Sequence, residues 1–247
     1  AAATTGMLLA TATGLPGLVP GGVVLRRMRT NTTAANGGAG ITAPVYQFPL
    51  LVRFDSLTSN PAALIGQGGV YFRKTNGTEL PYDFDGWDPV TGTCWFWVLV
   101  DTIPANDSSK VLEMCWDRQR PLILPSPRQV FDTANGFRMV YHLDSSAAGT
   151  GIAGVYRNSA QGLFHGTDFV SAAPQNGIVS RAAKFDGTDD HIDIGTPDIK
   201  GTGLTISCWF RTDGIGFDPR LVSKTTGYTL EEHFWMLGLD DDEEYEN

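Results

Sequence analysis

Short strand-like runs, broken by Gly, Asn, Asp and Pro, follow one another along most of this chain. A period of two sends successive side chains to opposite faces of an extended segment, the mark of a half-buried β-strand. The runs at residues 46–54, 70–74, 79–84, 93–100 and 111–116 read as strands. So do those at 137–143, 162–167, 182–186, 191–194 and 204–211. No stretch keeps a 3.6-residue period over three turns, so long amphipathic helices are not expected. The breaks carry turn chemistry: Thr75-Asn-Gly-Thr78 has the Asn-Gly signal of a tight hairpin, and Asp88-Pro-Val-Thr-Gly92 is a turn before a tryptophan-rich strand. Pro49 has no N–H to offer a ladder, which places the 46–54 strand at a sheet edge or a bulge. The pattern predicts an all-β protein.

In the 93–100 strand Trp95, Trp97 and Leu99 alternate with Cys94, Phe96 and Val98. Pairing it as a hairpin with 111–116 sets Val98 opposite Val111 and Cys94 opposite Cys115, and gives Leu112, Met114 and Trp116 the tryptophan face. That face is either core or a platform on which sugar rings stack. Cys94 and Cys115 are then either two small hydrophobes on a sheet face or a disulfide across the pair. Cys208 runs in phase with Leu204, Ile206 and Phe210 and is expected as a buried thiol.

Residues 1–21 carry no charge and consist largely of Ala, Thr, Gly, Pro and Leu. Two fates are open for this arm, residues 1–25: a linker or first strand on its own domain, or a strand pairing with a neighbouring subunit's sheet edge. Pro121, Pro125 and Pro127 stiffen the stretch Arg118–Arg128, where the domain boundary is placed: a connector, 122–136, separates a β-sandwich domain at 26–121 from a second domain at 137–239. Residues 240–247 form an acidic tail.

Composition fits strands and turns: 29 glycines, 25 threonines and only 18% charged residues in 247. The net charge of −9 owes six negatives to Asp240, Asp241, Asp242, Glu243, Glu244 and Glu246, which leaves 21 acidic against 18 basic residues elsewhere. A body so close to neutral lacks the basic footprint of a nucleic-acid binder. No apolar run reaches the ~18 residues of a membrane-spanning helix. Three cysteines cannot fill a four-cysteine zinc site. Asn31-Thr-Thr, Asn76-Gly-Thr and Asn106-Asp-Ser match the glycosylation acceptor pattern.

Catalytic constellations are missing from the sequence. It contains no Glu-x-Asp-x-x-Glu run, no Gly-x-Ser-x-Gly elbow, no phosphate-cradling glycine loop and no His-Glu-x-x-His. His142 and His165 are expected in structural roles, and the protein is expected not to be an enzyme. Calcium is the one candidate cofactor: Asp186-Gly-Thr-Asp-Asp190 brings hard oxygen ligands around a glycine turn, with Asp144 as a further ligand. For carbohydrate, Trp87, Tyr228 and Trp235 lie near turns where their rings could stack on sugar.

Two resemblances extend this. Phe48-Pro-Leu-Leu-Val-Arg-Phe-Asp55, Val70-Tyr-Phe-Arg73, Asn76-Gly-Thr-Glu-Leu-Pro-Tyr82 and Trp87-Asp-Pro-Val-Thr-Gly-Thr93, with Ile103-Pro-Ala-Asn106, resemble a secreted prokaryotic domain of unknown function (number 2341). Val140-Tyr-His-Leu-Asp144, His165-Gly-Thr167, Ala183-Lys-Phe-Asp-Gly-Thr-Asp-Asp190 and Leu204-Thr-Ile-Ser-Cys-Trp-Phe210 resemble the first part of a laminin-G-like, concanavalin A-like jelly roll. Such a jelly roll continues for several strands past Trp235-Met-Leu-Gly-Leu239, so its sheet expects completion by another chain or by further residues. Where the family often has an Asp-x-Ser-Gly-Asn-like turn, this chain has Arg157-Asn-Ser-Ala-Gln-Gly162. The resemblances imply an extracellular or cell-surface location. The expected function is a non-catalytic structural or adhesive β-sandwich protein that self-associates into a homo-oligomer or filament by strand donation. The alternative is a carbohydrate-binding module of a larger polysaccharide-active protein, with an extracellular glycan as partner.

Overall fold

The computed structural model describes residues 11–12, 24–35, 37–55, 69–117, 125–199, 202–214, 220–225 and 233–238. It is all-β, with antiparallel sheets throughout. In the first half one sheet runs β1 (Thr11–Ala12), β2 (Val24–Arg29), β8 (Val111–Trp116), β4 (Val70–Lys74) and β5 (Glu79–Leu80) in spatial order. The other runs β3 (Val45–Phe54), β7 (Thr93–Ile103) and β6 (Tyr82–Asp88). Met28, Phe72 and Leu112 from one sheet meet Leu50, Val52, Phe96 and Val98 from the other in a single buried cluster. The rings of Phe72 and Phe96 touch edge-on across the interlayer at 5.3 Å, a favoured aromatic geometry. This is a β-sandwich core.

Local signals shaped several of these elements. Pro49 sits in β3, which is an edge strand, as its missing N–H requires. The Asn76-Gly77 turn closes β4 onto β5: the Lys74 N–H donates to the Thr78 carbonyl at 2.8 Å, and Gly77 takes a left-handed φ of +88°. Thr11 and Ala12 pair with Arg29 and Met28 of β2, so this part of the arm lies against its own chain.

The hairpin expected between 93–100 and 111–116 does not form. β7 pairs with β3 and β6, while β8 pairs with β2 and β4 in the opposite sheet. The connection, residues 104–110, crosses between layers and is pinned by Thr32. The Thr32 hydroxyl donates to the Pro104 carbonyl at 2.7 Å and accepts from the Asp107 N–H at 2.8 Å. Leu112, Met114 and Trp116 therefore join the interlayer core with Phe96, not the tryptophan face. Cys94 and Cys115 fall on different sheets, both buried and neither in a disulfide.

The tryptophan face is covered from outside the sandwich. Helix α1 (Pro127–Val130) and Phe131 lie over the β3–β7–β6 sheet, where Trp97 and Leu99 pack with Val130, Phe131, Phe137, Val140 and Ala160. The 122–136 segment expected as a connector thus carries core side chains, and it welds the second region to the first.

That second region has three small antiparallel sheets. β10 (Gly166–Phe169) lies between β9 (Ile152–Tyr156) and β13 (His191–Asp193). β11 (Gln175–Asn176) pairs with β12 (Arg181–Ala182), and β14 (Arg220–Thr225) with β15 (His233–Gly238). Residues 137–143 form no strand. They are held instead by Asn158, whose side-chain oxygen accepts from the Val140 N–H at 3.1 Å. Residues 204–211 also form no strand, and Leu204, Trp209 and Phe210 are 45%, 63% and 51% exposed. Cys208, expected to be buried there, is exposed. Alternation fixes which face a side chain would take, but a strand also needs a neighbour for its N–H and C=O groups. No described helix is long and apolar enough to cross a membrane.

Candidate functional site

Strand β6 sets up a buried cluster of ionisable groups at the junction of the two regions. Its register with β7 slips by one: Phe84 faces Phe96, but Gly86 faces Trp95, which leaves Asp85 as the extra residue of a β-bulge. Asp83 and Asp85 both reach the outer side of the sheet, toward the second region. There His142 enters between them, with Nδ1 3.1 Å from Oδ2 of Asp85 and Nε2 3.4 Å from Oδ2 of Asp83. The Trp97 indole N–H donates to the same Asp85 oxygen at 2.5 Å. The Phe131 ring lies 5.9 Å from the imidazole. Both aspartates are 8% exposed. Burial alone would drive the proton off His142, but the two carboxylates outweigh it and raise its pKa to about 10.

Past the bulge the phase of β6 is inverted. Trp87, which would otherwise share a face with Asp83, stands opposite Cys94 and packs partly buried against the sandwich core. Tyr228 lies outside the described residues. Trp235 pairs with Lys224 across β14 and β15, and its side chain lies outside what is described.

Among the expected calcium ligands, Asp186, Asp189 and Asp190 do come together, with carboxylate oxygens within 4.8 Å of one another. Asp144 is not in that group; its carboxylate accepts from the neighbouring Ser145 hydroxyl. Both Asp190 oxygens already serve the loop, accepting from the Ser171 N–H at 2.8 Å and the Asp186 N–H at 2.9 Å. These bonds, the first above all, hold the Asp190 carboxyl below its ordinary range. Asp186 accepts from the Thr188 N–H at 2.8 Å, closing an Asx turn. The loop can offer a hard cation three surface carboxylates, but its hydrogen bonds account for its shape without one.

Two residues that the sequence pattern did not single out organise the second region. Asp168 is fully buried on β10 and accepts from the N–H groups of Ala147, Gly149 and Val170 and from the Tyr156 hydroxyl. Asn158 accepts from Val140 and Ala160 and donates to the carbonyls of Arg138 and Leu163. His165 Nδ1 accepts from the Asn158 N–H at 2.9 Å, a structural role. The signal for Asp168 was present, since a lone acid between Thr167 and Phe169 in a strand needs donors to be buried. Which donors it meets is decided by loops 19–21 residues away. Compared with protein-family models, with curated proteins and with solved structures, the chain has no match.

Proposed function

We propose that this is a non-catalytic, secreted or cell-surface structural or adhesive protein that acts by surface contact and self-association, adding strands between copies into a fibre or layer. The observation that carries the reading is the 204–210 segment. It has the alternation of a core strand, yet it pairs with no strand among the described residues and leaves Leu204, Trp209 and Phe210 exposed. Exposed backbone beside exposed apolar rings is what an edge-to-edge contact buries. The arm is a weaker candidate for donation, since Thr11 and Ala12 already pair with β2 of their own chain. A second copy is the occupant that needs no other partner, and a heterologous contact of this kind propagates.

Light-scattering mass with negative-stain electron microscopy tests this on the wild type and on a Trp209→Ser/Phe210→Ser double variant. Both side chains are exposed, so the variant keeps its fold. Assemblies many times the 26.7 kDa chain mass are expected for the wild type and a monomer for the variant. A wild type that stays monomeric as concentration rises overturns the proposal, and so does a variant that assembles equally well.

A further inference from the structure

We propose that Asp83, Asp85 and His142 form a proton-controlled latch, which fastens the second β region onto the sandwich and lets go when the imidazole gives up its proton. The geometry carries this. Two carboxylates approach the two ring nitrogens of one histidine, Asp85 in a hydrogen bond with Nδ1 at 3.1 Å and Asp83 as an ion pair with Nε2 at 3.4 Å, outside hydrogen-bond geometry. Only the imidazolium has an N–H for each; in either neutral tautomer one nitrogen turns a lone pair toward a carboxylate. Deprotonation therefore does more than remove an attraction. It leaves two negative charges in a site where the Asp83, Asp85 and His142 side chains are 12%, 4% and 18% exposed. Separation of the two regions relieves that repulsion by returning both charges to water.

The latch sits where it has leverage. Asp83 and Asp85 belong to β6 of the sandwich, whereas His142 lies in the 137–143 stretch, which has no ladder hydrogen bonds of its own. That stretch is tied to the second region by Asn158, by the Ser159 N–H on the Val140 carbonyl and by the Tyr141 hydroxyl on the Phe164 carbonyl. Where His142 goes, residues 158–164 follow. The groups facing the ring are Asp83 and Asp85 from β6, the Trp97 indole from β7 and the uncharged Phe131 ring after α1. The charges that act on it are those of the two aspartates.

The direction follows from linkage. A raised pKa means that the latch is at full strength below about 6.5, the value of a free histidine, and is lost as pH rises through about 10. Between those limits the open form should gain about tenfold on the closed form per pH unit.

Hydrogen exchange followed by mass spectrometry across that range, corrected for intrinsic rates, tests the proposal on the full chain. Peptides covering β6 and residues 137–143 should lose protection about tenfold per pH unit relative to those from the centre of β7. In His142→Gln the loss should be flat with pH. Asp83→Asn removes one carboxylate and should lower the His142 titration midpoint seen by NMR. A wild type with constant relative protection overturns the latch, as does a His142→Gln protein with the same slope or an Asp83→Asn protein with an unmoved midpoint.

Discussion

Trp97 and His142 meet on one atom: the indole N–H donates to Oδ2 of Asp85 at 2.5 Å, and the imidazole Nδ1 stands 3.1 Å from that same oxygen. Trp97 also packs its ring edge-on against Phe131 at 5.8 Å. One residue thus serves both the polar and the apolar halves of the junction. Trp97→Phe keeps a ring against Phe131 and removes the donor to a buried carboxylate. A loss of about 1.5–3 kcal/mol is expected for a hydrogen bond to a charged group, read as a lower urea midpoint at unchanged slope. A midpoint unmoved from the wild type would show that the bond adds nothing.

Asp168 should be the costliest single polar residue of the second region. Asp168→Ala leaves three N–H groups and the Tyr156 hydroxyl without their acceptor, at a cost of about 3 kcal/mol, whereas Tyr156→Phe should cost about 1 kcal/mol. Burial pushes the Asp168 carboxyl up, but the N–H groups of Ala147, Val170 and Gly149, with Tyr156, bring it below its ordinary range. Its contribution is therefore present above about pH 3.9 and lost as pH falls through the lowered value. Thermal melts against pH check the sign: Asp168→Asn should flatten the acid limb.

The three cysteines should differ sharply in reactivity. Cys94 and Cys115 are buried, Cys208 is exposed, and burial pushes the Cys94 thiol up to about 12, far from the thiolate that reacts. A thiol reagent should label one cysteine in the native protein and all three after denaturation without reductant. Mapping that label anywhere but Cys208, or finding fewer than three thiols on denaturation, contradicts this arrangement.

Gly86 is needed for close approach between the two regions. A Cβ there would lie 2.0 Å from Oγ and 2.9 Å from Cβ of Ser180, so the loop between β11 and β12 would have to shift. Gly86→Ala should lower the melting temperature, and Ser180→Gly should recover most of the loss when combined with it. Ser180 itself has a left-handed φ of +50°, which glycine adopts without strain. A double variant no better than Gly86→Ala would separate the two positions.

Side-chain periodicity and turn chemistry, both properties of neighbouring residues, made much of the first half legible. Residues 70–74 and 111–116 were delimited as they occur, Pro49 marked an edge strand, and Asn76-Gly77 marked a hairpin. The same signals could not show that β7 turns away from β8, because the hydrogen bonds that hold the crossing come from Thr32, 75 residues from Asp107. Nor could they foresee the bulge at Asp85, which inverts the phase of β6 and turns Trp87 against the core.

The sequence alone determined that this chain is built of short antiparallel strands with apolar faces, since alternation and turn residues act over a few positions. Only the tertiary structure decided which faces are covered and which charges meet. Trp97 is partly covered because Phe131 arrives from the connector, and His142 holds its proton because Asp83 and Asp85 stand opposite, 57 residues before it in the case of Asp85. Residues 204–211 show the converse, a strand pattern without a strand. Their faces were set by their own sequence, but pairing belongs to a neighbour, and local pattern holds no information about that neighbour.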